Sequence, residues 1–234
     1  MQKRSVVLTA LLLASPAPGF AEVTAQVTAT SDYVWRGITQ TLGGPALQAG
    51  IDYEHASGIY AGLWTSNVDF FDDSDPASDP ADNDEARWEL DYVAGIGHEF
   101  KAGWSLDVGV ICYTYPGARR DLLDSMGEGY AGLAYGVVDV KVWHDLDVDA
   151  WYTEANLNVE IGSKLTGGLH FGRSDLPGDD YSDFAVSLTA VLAPFEVALK
   201  YTNTTLDDDA CAAMAGYRDQ CGGRVAVGVT GKFQ

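Results

Sequence analysis

The sequence predicts an all-β fold, a transmembrane antiparallel up-and-down β-barrel of about twelve strands. Three observations predict it. Apolar and polar residues alternate with period two along most of the chain. The connections between alternating runs are in turn short and long, and aromatic residues gather at the ends of the runs. After residue 21 no apolar run approaches the roughly 20 residues of a membrane-crossing helix, so a helical membrane protein is excluded.

Residues 1–21 read as an export signal. Lys3 and Arg4 precede the apolar run Val6 to Ala14, and Gly19-Phe20-Ala21 places small residues at the cleavage positions. The barrel is then expected over residues 22–234. In its first strand Val23, Ala25, Val27 and Ala29 share a face, and Tyr33 and Trp35 are expected to continue the stripe. Leu47, Ala49, Ile51 and Tyr53 alternate with Gln48, Gly50, Asp52 and Glu54. Trp88, Leu90, Tyr92, Ala94, Ile96, His98 and Phe100 alternate with Glu89, Asp91, Val93, Gly95, Gly97 and Glu99. The next stripes are Trp104, Leu106, Val108 and Val110, then Trp151, Thr153, Ala155, Leu157, Val159 and Ile161. Phe184 to Leu192, Phe195 to Tyr201 and Val225 to Phe233 repeat the pattern, with weaker segments at 59–71, 128–136, 138–145 and 164–173.

The short connections are 56–58, 101–103, 136–137, 162–163 and 193–194; the long ones are 38–46, 72–86, 116–127, 146–149, 174–182 and 204–223. With both termini on one side, every short turn falls on that side and every long loop opposite, as in outer-membrane barrels. On the outward parity, Tyr53, Tyr60, Phe100, Trp104, Tyr135, Phe195 and Phe233 are expected to form a girdle near the turns. Trp35, Phe70, Trp88, Trp151, Phe171, Phe184 and Tyr201 are expected to form one near the loops; Trp143 has the opposite parity. A secreted sandwich, burying the same stripes between two sheets, is the alternative that alternation leaves open.

Three stretches carry a family resemblance: Ser31-Asp32-Tyr33-Val34-Trp35-Arg36-Gly37-Ile38-Thr39-Gln40-Thr41, then Pro45 to Tyr53, then Ser57 to Phe70. Over residues 31–71 the chain resembles the TorF-type porins, a proteobacterial outer-membrane family. The resemblance implies an outer-membrane barrel, passive transport and no catalytic residues. Phe233 is penultimate, before Gln234, where outer-membrane barrels commonly end in an aromatic residue.

The polar parity is where the chemistry of such a barrel resides. Asp52, Glu54, Glu89, Asp91, Glu99, Asp107, Glu154, Asn156, Asn158, Glu160, Glu196 and Lys200 are expected to line the pore, with Lys141, His170, Arg224 and Lys232 also inward. Carboxylates in a confined aqueous path favour cations over anions, so small neutral or cationic solutes are the expected cargo. The alternative is that ion pairs with these bases seal the lumen, leaving a non-conducting barrel that acts as an envelope enzyme or a surface-interaction protein. A net charge of −20 makes nucleic acid a poor partner; outer-membrane lipid and lipopolysaccharide are the expected surroundings.

Other motifs carry less. Gly127-Glu128-Gly129-Tyr130-Ala131-Gly132 matches a dinucleotide fingerprint, but a strand follows it where a helix is needed, so no cofactor is expected. Asp145-Leu146-Asp147-Val148-Asp149 begins like a calcium loop, but Ala150 stands where glycine is required. Asp72, Asp73, Asp75, Asp79, Asp82, Asp84 and Glu85 crowd one loop and Asp207, Asp208 and Asp209 another, where weak divalent-cation association competes with simple solvation. Arg119 and Arg120 are candidates for lipid phosphates or plain exposure. Export places Cys211 and Cys221 where a disulfide persists, and they are expected to pair. Cys112 reads as a small hydrophobe, and His55, His98, His144 and His170 as girdle or rim residues outside any nucleophile motif.

Overall fold

The computed structural model describes residues 21–69, 86–116, 126–178, 180–216 and 218–234. The export signal, save Ala21, lies outside the described residues, as do Phe70, the acidic run 72–85, Arg119 and Arg120. The elements are β1 (Glu22–Thr30), β2 (Val34–Trp35), β3 (Ile38–Thr39), β4 (Ala46–Glu54), β5 (Ile59–Asn67), β6 (Trp88–Glu99), β7 (Trp104–Thr114), β8 (Met126–Tyr135), β9 (Val138–Asp145) and β10 (Trp151–Glu160). They continue with β11 (Leu165–Asp175), β12 (Tyr181–Leu192), β13 (Phe195–Thr204), α1 (Asp208–Ala215) and β14 (Arg224–Phe233).

Twelve of these strands, all but β2 and β3, form one closed antiparallel barrel in which each pairs with its neighbours in sequence. The seam closes where β14 returns to β1, from Ala25 opposite Phe233 to Thr30 opposite Gly228. A single closed sheet excludes the two-sheet sandwich. Closure also answers the solvent: in hydrocarbon each N–H and C=O must bond within the protein, and a sheet does so only without edges. Strands of 8 to 12 residues at about 3.3 Å per residue suffice, when tilted, for an apolar band about 25 Å tall.

The outward parity is mostly apolar, with His98 on β6 and Arg173 on β11 among its polar members near the strand ends. Ile51, Ile96, Val110, Leu133, Leu169, Val186, Leu199 and Val227 are all exposed around the wall. Tyr53, Phe100, Trp104, Tyr135, Phe195 and Phe233 stand outward at the turn side, and Trp88, Trp151, Phe171, Phe184 and Tyr201 at the loop side. Trp104 stacks on Tyr135 with centroids 4.6 Å apart, and His144 lies against Trp151 at 4.2 Å. Cys112 sits on this outward parity, directly opposite exposed Tyr92.

Two aromatics expected in the girdles are inside. Tyr60 is 3 % exposed and lies across Gly95, its direct partner on β6. The absent Cβ is what gives its ring room. Trp35 fails for a different reason: the outward stripe of β1 stops at Thr30, and the chain then turns into the lumen. Thr30 Oγ1 donates to the Asp32 carbonyl at 2.9 Å, and buried Asp32 pairs with Arg224 on β14 at 3.0 Å. Beyond it β2 and β3 pair as a two-residue hairpin, Val34 opposite Thr39 and Trp35 opposite Ile38. Its turn residues, Arg36 (φ 46) and Gly37 (φ 82), both have the positive φ that a type I′ turn requires. Tyr33 and Trp35 therefore belong to a segment folded into the barrel.

The hairpin is seated tightly. A Cβ at position 37 would overlap Thr204 Cγ2 on β13 and stand 2.8 Å from Asp183 Cβ on β12. The Tyr181 hydroxyl donates to the Arg36 carbonyl at 3.2 Å, and the Thr39 N–H to the Gln220 carbonyl at 3.1 Å. Above it the expected disulfide, Cys211–Cys221, is formed. It packs with Ile38 and Tyr181 into a buried cluster flanked by Leu176, Leu206, Met214 and Ala215. The acidic run 207–209 has a local explanation: Asp207 caps α1 by accepting from the Ala210 N–H at 2.8 Å, with Asp208 and Asp209 in the first turn.

Two outcomes follow from this architecture. Leu169→Arg, at the middle of β11 on the outward face, is expected to destabilise the barrel in lipid vesicles by about 2–4 kcal/mol, whereas Arg at the inward Gln26 costs far less; urea unfolding in vesicles measures both. Gly37→Ala introduces strain on the order of 1–3 kcal/mol at the hairpin tip. It should raise hydrogen exchange at the Thr39 amide about tenfold or more while leaving the barrel strands protected.

Candidate functional site

The barrel interior is the candidate site, and its walls follow the same alternation as the lipid face. All twelve residues expected to line it fall on the inward parity. Asp52 and Glu54 lie on β4, Glu89, Asp91 and Glu99 on β6, and Asp107 on β7. Glu154, Asn156, Asn158 and Glu160 follow on β10, with Glu196 and Lys200 on β13. Glu99 and Glu160 end their strands, so they are exposed at the turn-side rim. Lys141, His170, Arg224 and Lys232 are inward too.

Most of the bases are spent on partners. Lys141 Nζ stands 2.9 Å from Asp107 Oδ2, Lys232 Nζ 2.7 Å from Glu196 Oε2, and Arg224 pairs with Asp32. His170 bridges two strands: Nδ1 is 2.7 Å from Asn156 Oδ1 and Nε2 is 2.9 Å from Asp183 Oδ1. Asn156 in turn donates to Asp139 at 2.9 Å, and the Tyr152 hydroxyl donates to Asp183 at 3.1 Å. The acids are in excess. Among the described residues Asp52, Glu54, Asp91, Glu99 and Glu160 enter no ion pair. Glu22 faces Glu54 directly across the β1–β4 pair, so like charges meet at the turn-side mouth. Glu89 accepts from the Tyr115 hydroxyl at 3.1 Å through Oε1, while its buried Oε2 and Asp91 Oδ1 have no hydrogen-bond partner among the described residues.

On one wall, aromatics narrow the bore. Across β5 to β8 a row reads Tyr60, Gly95, Gly109, Tyr130, each opposite the next. The two rings lie flat over the two glycines and their hydroxyls meet, with Asp107 accepting from Tyr60 at 2.6 Å. Trp143, the residue of discordant parity, explains itself here. It points inward, packs on Tyr130 at 4.5 Å and donates from Nε1 to Glu154 at 3.0 Å.

At the loop side the hairpin crosses the bore. Tyr33 meets Trp64 on β5 edge-on at 5.3 Å, and Trp35 meets Tyr113 on β7 at 6.1 Å. Arg36 reaches β8, where its two terminal nitrogens each lie 2.8 Å from a different oxygen of Glu128. Its guanidinium also lies 4.2 Å from the Trp35 ring centroid, 4.1 Å from that of Tyr152 and 5.8 Å from that of Trp143. The Tyr113 hydroxyl donates to Glu128 at 2.8 Å and holds the carboxylate in place. With Gly37 pressed on β12 and β13, the hairpin tip touches opposite arcs of the wall.

Arg36, Glu128, Trp143, Tyr113, Tyr152 and Asp183 were not among the expected pore residues. Two signals for them exist in the sequence: the discordant Trp143, and Arg36-Gly37 between the β-branched Val34 and Ile38. Glu128 sits in the stretch that mimics a dinucleotide loop and is ordinary β8 strand. Among the described residues no group of three or more His, Cys, Asp or Glu is arranged to hold a metal ion.

Several solved structures share this architecture. A KdgM porin superposes with a TM-score of 0.61 at 11% identity, covering 90% of this chain and 99% of that one. A KdgM porin in complex with disordered oligogalacturonate gives 0.57 at 10% identity, covering 92% and 100%. A NanC porin gives 0.54 at 10% identity, covering 90% and 99%. Identities this low speak for the fold. No curated protein matches the sequence. The family described as a bacterial protein of unknown function (Gcw_chp) matches residues 14–233, nearly the whole chain. A closed barrel of the KdgM and NanC kind, this chain belongs to the Gcw_chp family.

Proposed function

We propose that this protein is an outer-membrane porin, exported by residues 1–21 and embedded over 22–234 among outer-membrane lipid and lipopolysaccharide. It gives passive passage to small neutral or cationic solutes and acts as a transporter rather than an enzyme. The observation that carries the reading is the charge balance of the lumen: Lys141, Arg224 and Lys232 are consumed in ion pairs, while among the described residues Asp52, Glu54, Glu99 and Glu160 enter none and Lys200 is the inward lysine without one. Uncompensated carboxylates in a confined aqueous path lower the barrier for cations and raise it for anions. The shared fold with KdgM and NanC porins and the resemblance of residues 31–71 to the TorF-type porins point the same way.

The bore is narrow. Eight strands leave an interior filled by side chains and sixteen to eighteen an open channel, and here Tyr60, Tyr130, Trp143 and the β2–β3 hairpin occupy part of the twelve-stranded cross-section. That hairpin favours a second reading, a barrel that conducts nothing until the hairpin moves.

Planar-bilayer recording separates the two. In a KCl gradient the folded protein should give small channels whose reversal potential has the sign of cation preference. Replacing Glu54 and Glu99 together by Gln should reduce the cation-to-anion permeability ratio by about twofold or more. Anion preference would overturn the selectivity, and silence from folded protein would favour the non-conducting barrel.

A further inference from the structure

The contacts around Arg36 are those of a ligand in a binding site. Glu128 meets the guanidinium two-pronged, one oxygen to each terminal nitrogen at 2.8 Å. This parallel geometry suits a planar fork and not a spherical ammonium. Aromatic faces on Tyr152 and Trp143 flank it within 4.1 and 5.8 Å, where the ring quadrupole attracts a cation. The carboxylate is braced by the Tyr113 hydroxyl. These four side chains stand on β7, β8, β9 and β10, consecutive strands of the rigid wall. Only the occupant, with Trp35 at 4.2 Å from it, arrives on the hairpin. Lys141, whose Nζ also lies over the Trp143 ring at 5.2 Å, is held by Asp107 at 2.9 Å.

We propose that Glu128, Tyr113, Trp143 and Tyr152 form a guanidinium-binding cage in the lumen, which Arg36 fills as a tethered occupant. Solutes that carry a guanidinium group compete for the cage, and when one displaces Arg36 the hairpin loses its hold on the β8 wall and the bore widens. The cage rests on the contacts alone; the widening rests on the porin reading above. A tethered occupant competes at a high effective concentration, on the order of millimolar, so free guanidinium should act weakly on the natural chain and strongly once Arg36 is gone.

The test uses the full mature protein folded in detergent, with folding checked for each variant by the mobility shift of the unheated barrel. Guanidinium chloride at millimolar concentration and constant ionic strength is titrated against tryptophan fluorescence, which Trp143 reports from within the cage. In Arg36→Ala the change should saturate with a midpoint at least about tenfold below that of the natural chain. Tetramethylammonium, which lacks donors for the carboxylate fork, should be much weaker. Adding Glu128→Gln to Arg36→Ala should abolish the response. Arg36→Lys keeps a cation at the tip and should give an intermediate midpoint, which provides a second measurement if the alanine variant does not fold.

In bilayers Arg36→Ala should conduct at least about twice as well as the natural chain, and guanidinium should block it where sodium does not. A flat titration in folded Arg36→Ala, or a response that survives Glu128→Gln, overturns the cage whatever the conductance. A saturating titration with no current from any variant leaves the cage standing and overturns the porin reading. Equal conductance of the two proteins, together with a saturating titration, overturns the widening.

Discussion

Backbone hydrogen bonding in a medium without water is the constraint on which the rest of this structure depends. An unpaired N–H or C=O facing lipid costs several kcal/mol, so the sheet must consume its own edges. It does so at the β1–β14 seam. Because closure commits the ladder of every wall strand, the segment between β1 and β4 cannot join the sheet as a further strand. The solution is a hairpin that pairs with itself, Val34 with Thr39 and Trp35 with Ile38, and fixes its position through side chains and a few loop carbonyls. An inner hairpin of this kind is held by Arg36, Tyr181 and the disulfide cluster, not by the barrel's own hydrogen bonds.

The two faces of the wall answer to different physics. Outside, hydrocarbon accepts almost any apolar side chain, and the stripes are monotonous: Val225, Val227 and Val229, or Val186 and Leu188. Inside, water, charge and packing compete, so each position is particular. Lys141 answers Asp107, Trp143 answers Glu154, and His170 ties Asn156 to Asp183. The interior is therefore graded along the axis. An acidic, largely unpaired mouth lies at the turns, an aromatic and ion-paired wall in the middle, and the crossing hairpin at the loops.

This difference decides what could be read from the residues alone. The barrel, its strand number, the sidedness of its turns and loops, and the inward parity of the acids from Asp52 to Glu196 were legible because a hydrocarbon-facing wall enforces alternation over the middle of each strand. Tyr60 departs from the expected girdle because an inward tyrosine over a glycine has the same composition as an outward girdle residue beside a turn; only the register, which sets it against Gly95, distinguishes the two. Trp35 departs from it because the alternation of β1 runs on in the sequence after the chain has already turned inward at Asp32. The Arg36-Gly37 turn was hidden because arginine stands where Asn or Asp usually signals a type I′ hairpin. Glu128 was hidden because its partner lies 92 residues away, a distance no local pattern spans.

The row of Tyr60, Gly95, Gly109 and Tyr130 has a bearing on how the wall finds its alignment. Each tyrosine needs a bare backbone opposite it, and the two glycines supply that at one level only. If β5 slid by two residues against β6, Tyr60 would face Val93 or Gly97 in place of Gly95. The first collides with a branched side chain, and either parts its hydroxyl from that of Tyr130. The quartet thus acts as a vernier across four staves, tolerating a single setting, and it would proofread their stagger as the cylinder assembles.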